Sequence, residues 1–267
     1  MLKQRIITAL LLVAIVLAAL FAANPVYWRA LISLVVLAGF FEWLRFCELK
    51  TLPEKVVSYC LFGAALFIFQ QGYLAIGLVL SLACVLWVCL ITFTLTDALN
   101  FFHQKWLKLF VGIFILASGA WLIIEIKNLA NGPLWIVGFI GTVAAADIGA
   151  YFTGKRFGKR KLAPKVSPGK TVEGFLGGLV LVAMVAAPVV LISFSARSAS
   201  MLLVTIIITA VASVAGDLFE SKLKRHVGLK DSSQLLPGHG GMLDRIDGIL
   251  CGSFFFSSGL FLLGYLG

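Results

Sequence analysis

The sequence predicts an all-α, polytopic membrane protein of about nine helical spans with its N-terminus on the cytoplasmic side. Three observations predict it. Of 267 residues, 61% are hydrophobic and only 13% charged, and the mean hydropathy is +1.04. A soluble domain is roughly half apolar and about a quarter charged, so this little charge could not solvate a globule of this size. Apolar runs recur at close to the ~20 residues that a helical span requires. Finally, the basic residues gather on alternate connections between those runs.

The runs fall near residues 6–23, 28–46, 56–70, 73–95, 107–126, 133–153, 174–195, 200–219 and 248–266. The first follows Lys3 and Arg5, as a signal peptide would. Its apolar stretch exceeds the ~7–15 residues of such a segment and no A-x-A site follows, so a retained helix is expected. The third run is short and is parted from the fourth only by Gln70-Gln71-Gly72; the alternative is that these two are not separate spans. Nine alternating spans with a cytoplasmic N-terminus place 19 of the 22 Lys and Arg residues on the cytoplasmic side, leaving Arg29, Lys127 and Arg197 opposite. The net charge of +10 is therefore mostly topology, and no nucleic-acid partner is expected. Cys47, Cys60, Cys84, Cys89 and Cys251 lie in or beside apolar runs with no CxxC pair. They read as packing residues, not as a disulfide framework or zinc site.

The chain divides in two by polarity. Residues 1–130 hold about five spans with scattered charge. Residues 131–267 hold the remaining spans and two polar cytoplasmic loops, 154–173 and 220–247, and form the candidate catalytic region. No sequence repeat relates the halves, which weakens an inverted-repeat transporter reading.

In the first loop, Gly169-Lys170-Thr171 suggests a P-loop, but the motif's first glycine would fall on Pro164 and no strand precedes it. What remains is a phosphate-friendly set: Lys170, the hydroxyls of Ser167 and Thr171, and backbone N–H groups opening the seventh span. The plainer alternative is a positive-inside loop whose Ser and Thr cap a helix. Asp147 lies inside the sixth span among Ala144, Ala145, Ala146 and Gly149, and an intramembrane carboxylate is a functional candidate by default.

The second loop carries more. Asp217 and Glu220 are three residues apart at the end of the eighth span, and Asp244 and Asp247 are three apart where the ninth begins. Each pair lies on one helix face. A carboxylate in a span costs ~2.5–3.5 kcal/mol even on the lenient insertion scale, and several converging acids also repel. They call for a cation, and hard oxygen ligands beside phosphate-binding lysines point to Mg2+, with a second cation left open. The alternative is local pairing of Asp244 and Asp247 with Arg245 and Lys222. Glu220 is the weakest metal candidate, and Asp231 reads as an exposed loop residue or a partner of Lys230. His239 sits in a glycine cluster with Gly240 and Gly241, where backbone can approach a phosphate closely. Glu42 and Arg45 read as an ion pair within the second span.

The run Ser221-Lys-Leu-Lys-Arg225, Lys230-Asp231 and Pro237-Gly-His-Gly-Gly-Met-Leu-Asp-Arg-Ile-Asp247 closely resembles the signature of the phosphatidate cytidylyltransferases, or CDP-diacylglycerol synthases, with no departure from its pattern. Asp147 to Gly154 and Ser167-Pro-x-Lys-Thr-x-Glu-Gly174 also look like that family. The specific likeness covers roughly 147–250; the N-terminal half is similar only in being hydrophobic. The resemblance implies a Mg2+-dependent integral membrane enzyme that converts CTP and phosphatidate to CDP-diacylglycerol and pyrophosphate. It also implies a homodimer, and in a bacterium an inner-membrane location with the site facing the cytoplasm. On this reading Asp217, Asp244, Asp247 and Lys222 form the catalytic set. Metal binding falls to Asp217, Asp244 and Asp247, with Asp147 as their neighbour. Substrate contacts fall to Ser167, Lys170, Thr171, Ser221, Lys224, Arg225, Lys230, His239, Gly240, Gly241 and Arg245. A CTP-dependent lipid kinase and a secondary transporter are the rival readings.

Overall fold

The computed structural model describes residues 2–22, 24–96, 104–238 and 240–267. Among these run nine helices and one two-stranded sheet: α1 (Leu2–Phe21), α2 (Pro25–Phe46), α3 (Leu52–Gln70), α4 (Ile76–Thr96), α5 (Lys105–Asn128), α6 (Gly132–Phe157), β1 (Lys161–Ala163), β2 (Ser167–Thr171), α7 (Val172–Ser193), α8 (Ala196–His226) and α9 (Leu243–Leu262). Local chemistry sets several of these boundaries. α2 and α6 carry proline in the first turn, where its missing N–H costs nothing. Thr51 and Glu54 close a capping box at the start of α3. The polar Gln70-Gln71-Gly72 break is a true helix end: Gly72 takes a left-handed conformation at φ +69°, so α3 and α4 are separate helices.

Seven helices, α3 to α9, are long and apolar enough to cross a membrane, which makes the chain a multi-pass membrane protein. Its outer surface agrees: Val180, Met184, Val185, Val189, Leu191 and Ile192 along α7 are all exposed, an apolar face that water would not tolerate but acyl chains would. In α5, by contrast, 83% of the apolar window is buried inside the protein, against 17% in α3 and in α7. α5 is thus the central helix, packed by α2, α3, α6 and α9. The most extensive helix contacts are α6 with α7 and α8 with α9. At the first of these, a Cβ on Gly149 would lie 2.8 Å from the Gly177 carbonyl oxygen, so the small residues around Asp147 do allow two backbones to touch.

Both polar loops are shorter than the sequence suggests. α6 continues through Lys155 and Arg156 to Phe157, and α8 continues through Ser221, Lys222, Lys224 and Arg225 to His226. α9 starts at Leu243, ahead of the apolar run. Hydropathy marks where a helix leaves the bilayer, not where it ends, and basic residues suit a helix C-terminus by complementing its dipole. The rest of the first loop is an ordered antiparallel hairpin, with Lys161 opposite Thr171 and Ala163 opposite Ser167. The Glu173 carboxylate ties its base by accepting from the backbone N–H groups of Lys159 (3.0 Å) and Arg160 (3.1 Å) and from the Arg160 side chain. The short, proline-broken strands carry too little alternation to be read from sequence.

Candidate active site

α6, α8 and α9 together enclose a cavity of about 400 Å³, lined by Asp147, Asp217, Asp244, Arg245, Asp247 and Ser213 with an apolar wall of Ile140, Val143, Ala144 and Ile249. Close packing of α8 on α9 creates this meeting point. A Cβ on Gly216 would stand 2.7 Å from the Asp247 carbonyl oxygen, so only glycine lets the two helices bring Asp217 beside the acids of α9. The hairpin supplies a base from the other side: Lys170 Nζ lies 2.7 Å from Asp217 Oδ2. Ser221, one turn below on α8, donates to Asp217 Oδ1 at 3.1 Å. The four aspartates that the sequence singles out therefore share one cavity with Arg245, and Lys170 is tied to it through Asp217.

Asp244 is the most heavily bonded of them. Its Oδ1 accepts from Lys224 Nζ at 2.5 Å. Its Oδ2 accepts from the backbone N–H groups of Ser232 (3.0 Å) and Gly241 (2.8 Å) and lies 3.0 Å from the Ser232 hydroxyl. Lys224 also pairs with Glu220 Oε2 at 3.0 Å. Glu220 is buried within side-chain reach of Asp247, and its Oε1 has no hydrogen-bond partner. Two buried carboxyl groups this close cannot both stay charged without a proton or a cation between them. Asp147, Asp217, Glu220, Asp244 and Asp247 gather here with Lys170, Lys224 and Arg245. As they stand, no three His, Cys, Asp or Glu side chains among the described residues are grouped closely enough to hold one ion. Carboxylate oxygens are the hard ligands that a divalent cation such as Mg2+ takes, with substrate phosphates and water completing its shell.

A family profile described as the cytidylyltransferase family matches residues 3–263. The chain belongs to the cytidylyltransferase family. It is 39% identical to a phosphatidate cytidylyltransferase of Pseudomonas aeruginosa over 99% of both chains. It is 36% identical to one of Haemophilus influenzae over 96% of this chain and 98% of that one, and 35% identical to one of Bacillus subtilis over 93% of each. A cytidylyltransferase must seat a nucleoside triphosphate, and the remaining sequence candidates can be judged against that need.

Not all of them reach the cavity of this cytidylyltransferase. Lys222 is buried and donates to the carbonyl oxygens of Thr94 (2.8 Å) and Phe93 (3.4 Å), binding α8 to the end of α4. Arg225 donates to the Leu229 carbonyl at 3.1 Å and shapes the turn after α8. Lys230 and Asp231 are exposed. Thr171 caps α7 by accepting the Gly174 N–H at 3.1 Å, and Ser167 opens β2 half-buried. Gly240, at φ +82°, pairs by its carbonyl with the Leu236 N–H. His239 lies outside the described residues.

One expectation is corrected. Glu42 and Arg45 do not pair with each other. The Glu42 carboxylate turns into the loop before α9, accepting from Ser232 and Ser233 hydroxyls and the Met242 and Leu243 N–H groups. Arg45 donates to the Ser232 carbonyl. Four donors converge on the carboxylate, and two of them are backbone N–H groups at the start of α9 that need an acceptor. Sequence reasoning missed Ser232 and Ser233 altogether. The available signal was Glu42 itself, an acid within an apolar run.

Proposed function

We propose that this chain is a phosphatidate cytidylyltransferase, transferring the cytidylyl group of CTP to phosphatidate to give CDP-diacylglycerol and pyrophosphate. One observation carries the reading: in a membrane chain of this family, four aspartates and Arg245 line one cavity that also has an apolar wall, and Lys170 pairs with one of those aspartates. A charged floor and an apolar side suit a substrate pair of which one is a polyphosphate and the other a lipid phosphate. An oxygen of the phosphatidate phosphate attacks the α-phosphorus of CTP, the α–β bridging bond breaks, and pyrophosphate leaves with the bond electrons. That oxygen is already anionic, so no general base is required. The protein's task is to align two polyanions and screen their repulsion. Lys170, once released from Asp217, and Arg245 are placed to meet phosphate oxygens. Ile140, Val143 and Ala144 accept the acyl-bearing end of the lipid. Mg2+ would be held by Asp217 and Asp247 with Asp147 and Asp244 alongside, and would supply charge neutralisation and a template for the phosphates.

The same reading sets the topology. α1 and α2 complete about nine spans, the N-terminus and both polar connections face the cytoplasm, and the protein acts as a homodimer in the inner membrane of a bacterium. Two supports are the 19-to-3 division of basic residues and the bacterial relatives. Vesicles test function and sidedness together, because CTP does not cross a bilayer. Membranes containing the protein with the cytoplasmic face outward should release pyrophosphate from external CTP when phosphatidate is present, but not with diacylglycerol alone. Right-side-out vesicles should release none. Turnover of diacylglycerol would favour a CTP-dependent kinase, and activity only in right-side-out vesicles would invert the topology.

A further inference from the structure

We infer that Glu42, on α2 in the half of the chain without a polar motif, is a positioning residue that sets the acidic wall of the cavity. This rests on the reading of that cavity as the site of cytidylyl transfer. Glu42 is fully buried, at 0% exposure, and its carboxylate accepts four hydrogen bonds: from Ser232 Oγ (2.8 Å), Ser233 Oγ (2.5 Å), Met242 N–H (2.8 Å) and Leu243 N–H (2.7 Å). All four donors belong to the segment from 232 to 243, and all are uncharged. Met242 and Leu243 open α9, whose N-cap residue makes no side-chain cap of its own. The first N–H groups of a helix need acceptors, and here an acid from another helix provides them.

Two further contacts turn this cap into a link with the cavity. The Ser232 hydroxyl lies 2.8 Å from Glu42 Oε2 and 3.0 Å from Asp244 Oδ2. A hydroxyl carries one proton, so one donor stands between a carboxylate on the cavity wall and another outside it. A Cβ on Gly241 would lie 1.9 Å from Ser232 Oγ and 2.6 Å from Glu42 Oε2. The Glu42 carboxylate therefore fills the space a side chain at 241 would take, and the Gly241 N–H is left aimed at Asp244. Arg45, one turn along α2, holds the same segment by donating to the Ser232 carbonyl at 2.5 Å. Moving Glu42 moves Ser232, Gly241 and the first turn of α9, and with them the direction in which Asp244 faces.

The test uses the full-length purified protein. Glu42→Gln keeps the size but sets an amide NH2 against four donors. Turnover should fall roughly 10- to 100-fold, as for other groups that orient a liganding carboxylate, with much smaller changes in KM for CTP and phosphatidate. Amide exchange should rise at Met242 and Leu243 while α5 and the rest of α2 stay protected. Glu42→Asp should recover part of the turnover. Should Glu42→Gln fail to fold, Ser232→Ala reads the same link, with a several-fold loss of kcat expected. Unchanged kcat and unchanged exchange would overturn the inference. So would exchange that rises throughout α2 and α5, which marks a merely structural role, or a rise in KM at unchanged kcat. Asp217→Asn in the same assay separates the premise: wild-type turnover there would show that the cavity is not the transfer site, whatever Glu42 does.

Discussion

Asp217→Asn should yield a protein that inserts and folds as the parent does but turns over about 100-fold more slowly or worse, since charge stabilisation by a metal and its ligands would be worth several kcal/mol and each ~1.4 kcal/mol is a factor of ten. The expectation of intact folding comes from its surroundings. The Asp217 side chain is 35% exposed, and an asparagine of the same size opens no void. Ser221 can still donate to the remaining oxygen. Lys170 Nζ is buried and loses its ion-pair partner, so a small fall in melting temperature should accompany the loss of turnover. Parallel measurement of single-turnover rate and melting temperature decides the matter. Near-normal turnover would reduce Asp217 to a counter-ion for Lys170.

Asp244→Asn should do more, and do it differently. Asp244 is surrounded by donors: Lys224, two backbone N–H groups and a hydroxyl. An amide in its place turns two hydrogens toward that shell and leaves Lys224 with Glu220 as its remaining acid. Breaking one partner out of a buried charge network costs ~3–5 kcal/mol, so a lowered melting temperature should accompany nearly complete loss of turnover. Apparent Mg2+ affinity should weaken as well, because a neutralised acid no longer favours the cation. Raising Mg2+ should restore little, since the loop carrying Gly240 and Gly241 has lost its anchor. If the variant keeps near-normal turnover at low Mg2+, Asp244 is a structural hub alone and the cation lies elsewhere among the acids.

The difference between these two aspartates shows where sequence reading stops. Spacing alone puts Asp217 with Glu220 and Asp244 with Asp247 on single helix faces, and the structure brings Asp147, Asp217, Asp244 and Asp247 to one cavity. Membrane character was equally legible, because it follows from composition and run length. Helix ends were less so: Lys155 and Arg156, or Lys222 to Arg225, are polar yet helical, and hydropathy cannot tell a helix that leaves the bilayer from one that stops. The basic residues were the least legible. Lys170 reaches the cavity from a hairpin, while Lys222, only two residues from buried Glu220, turns instead to the carbonyls of α4. Side-chain direction of that kind depends on which helix lies beside which, and no local pattern encodes it. The same holds for Glu42, whose partners lie 190 to 201 residues away.

The central claim is that lipid phosphate attacks the α-phosphorus of CTP in this protein. Incubating purified protein with phosphatidate, Mg2+ and CTP labelled at either the α or the γ position tests it most directly. The account predicts lipid-extractable label from α alone, with the γ label recovered as pyrophosphate. Label entering lipid from the γ position would make the protein a CTP-dependent kinase, and no label from either position, in protein shown to be folded, would contradict transfer chemistry altogether and favour transport.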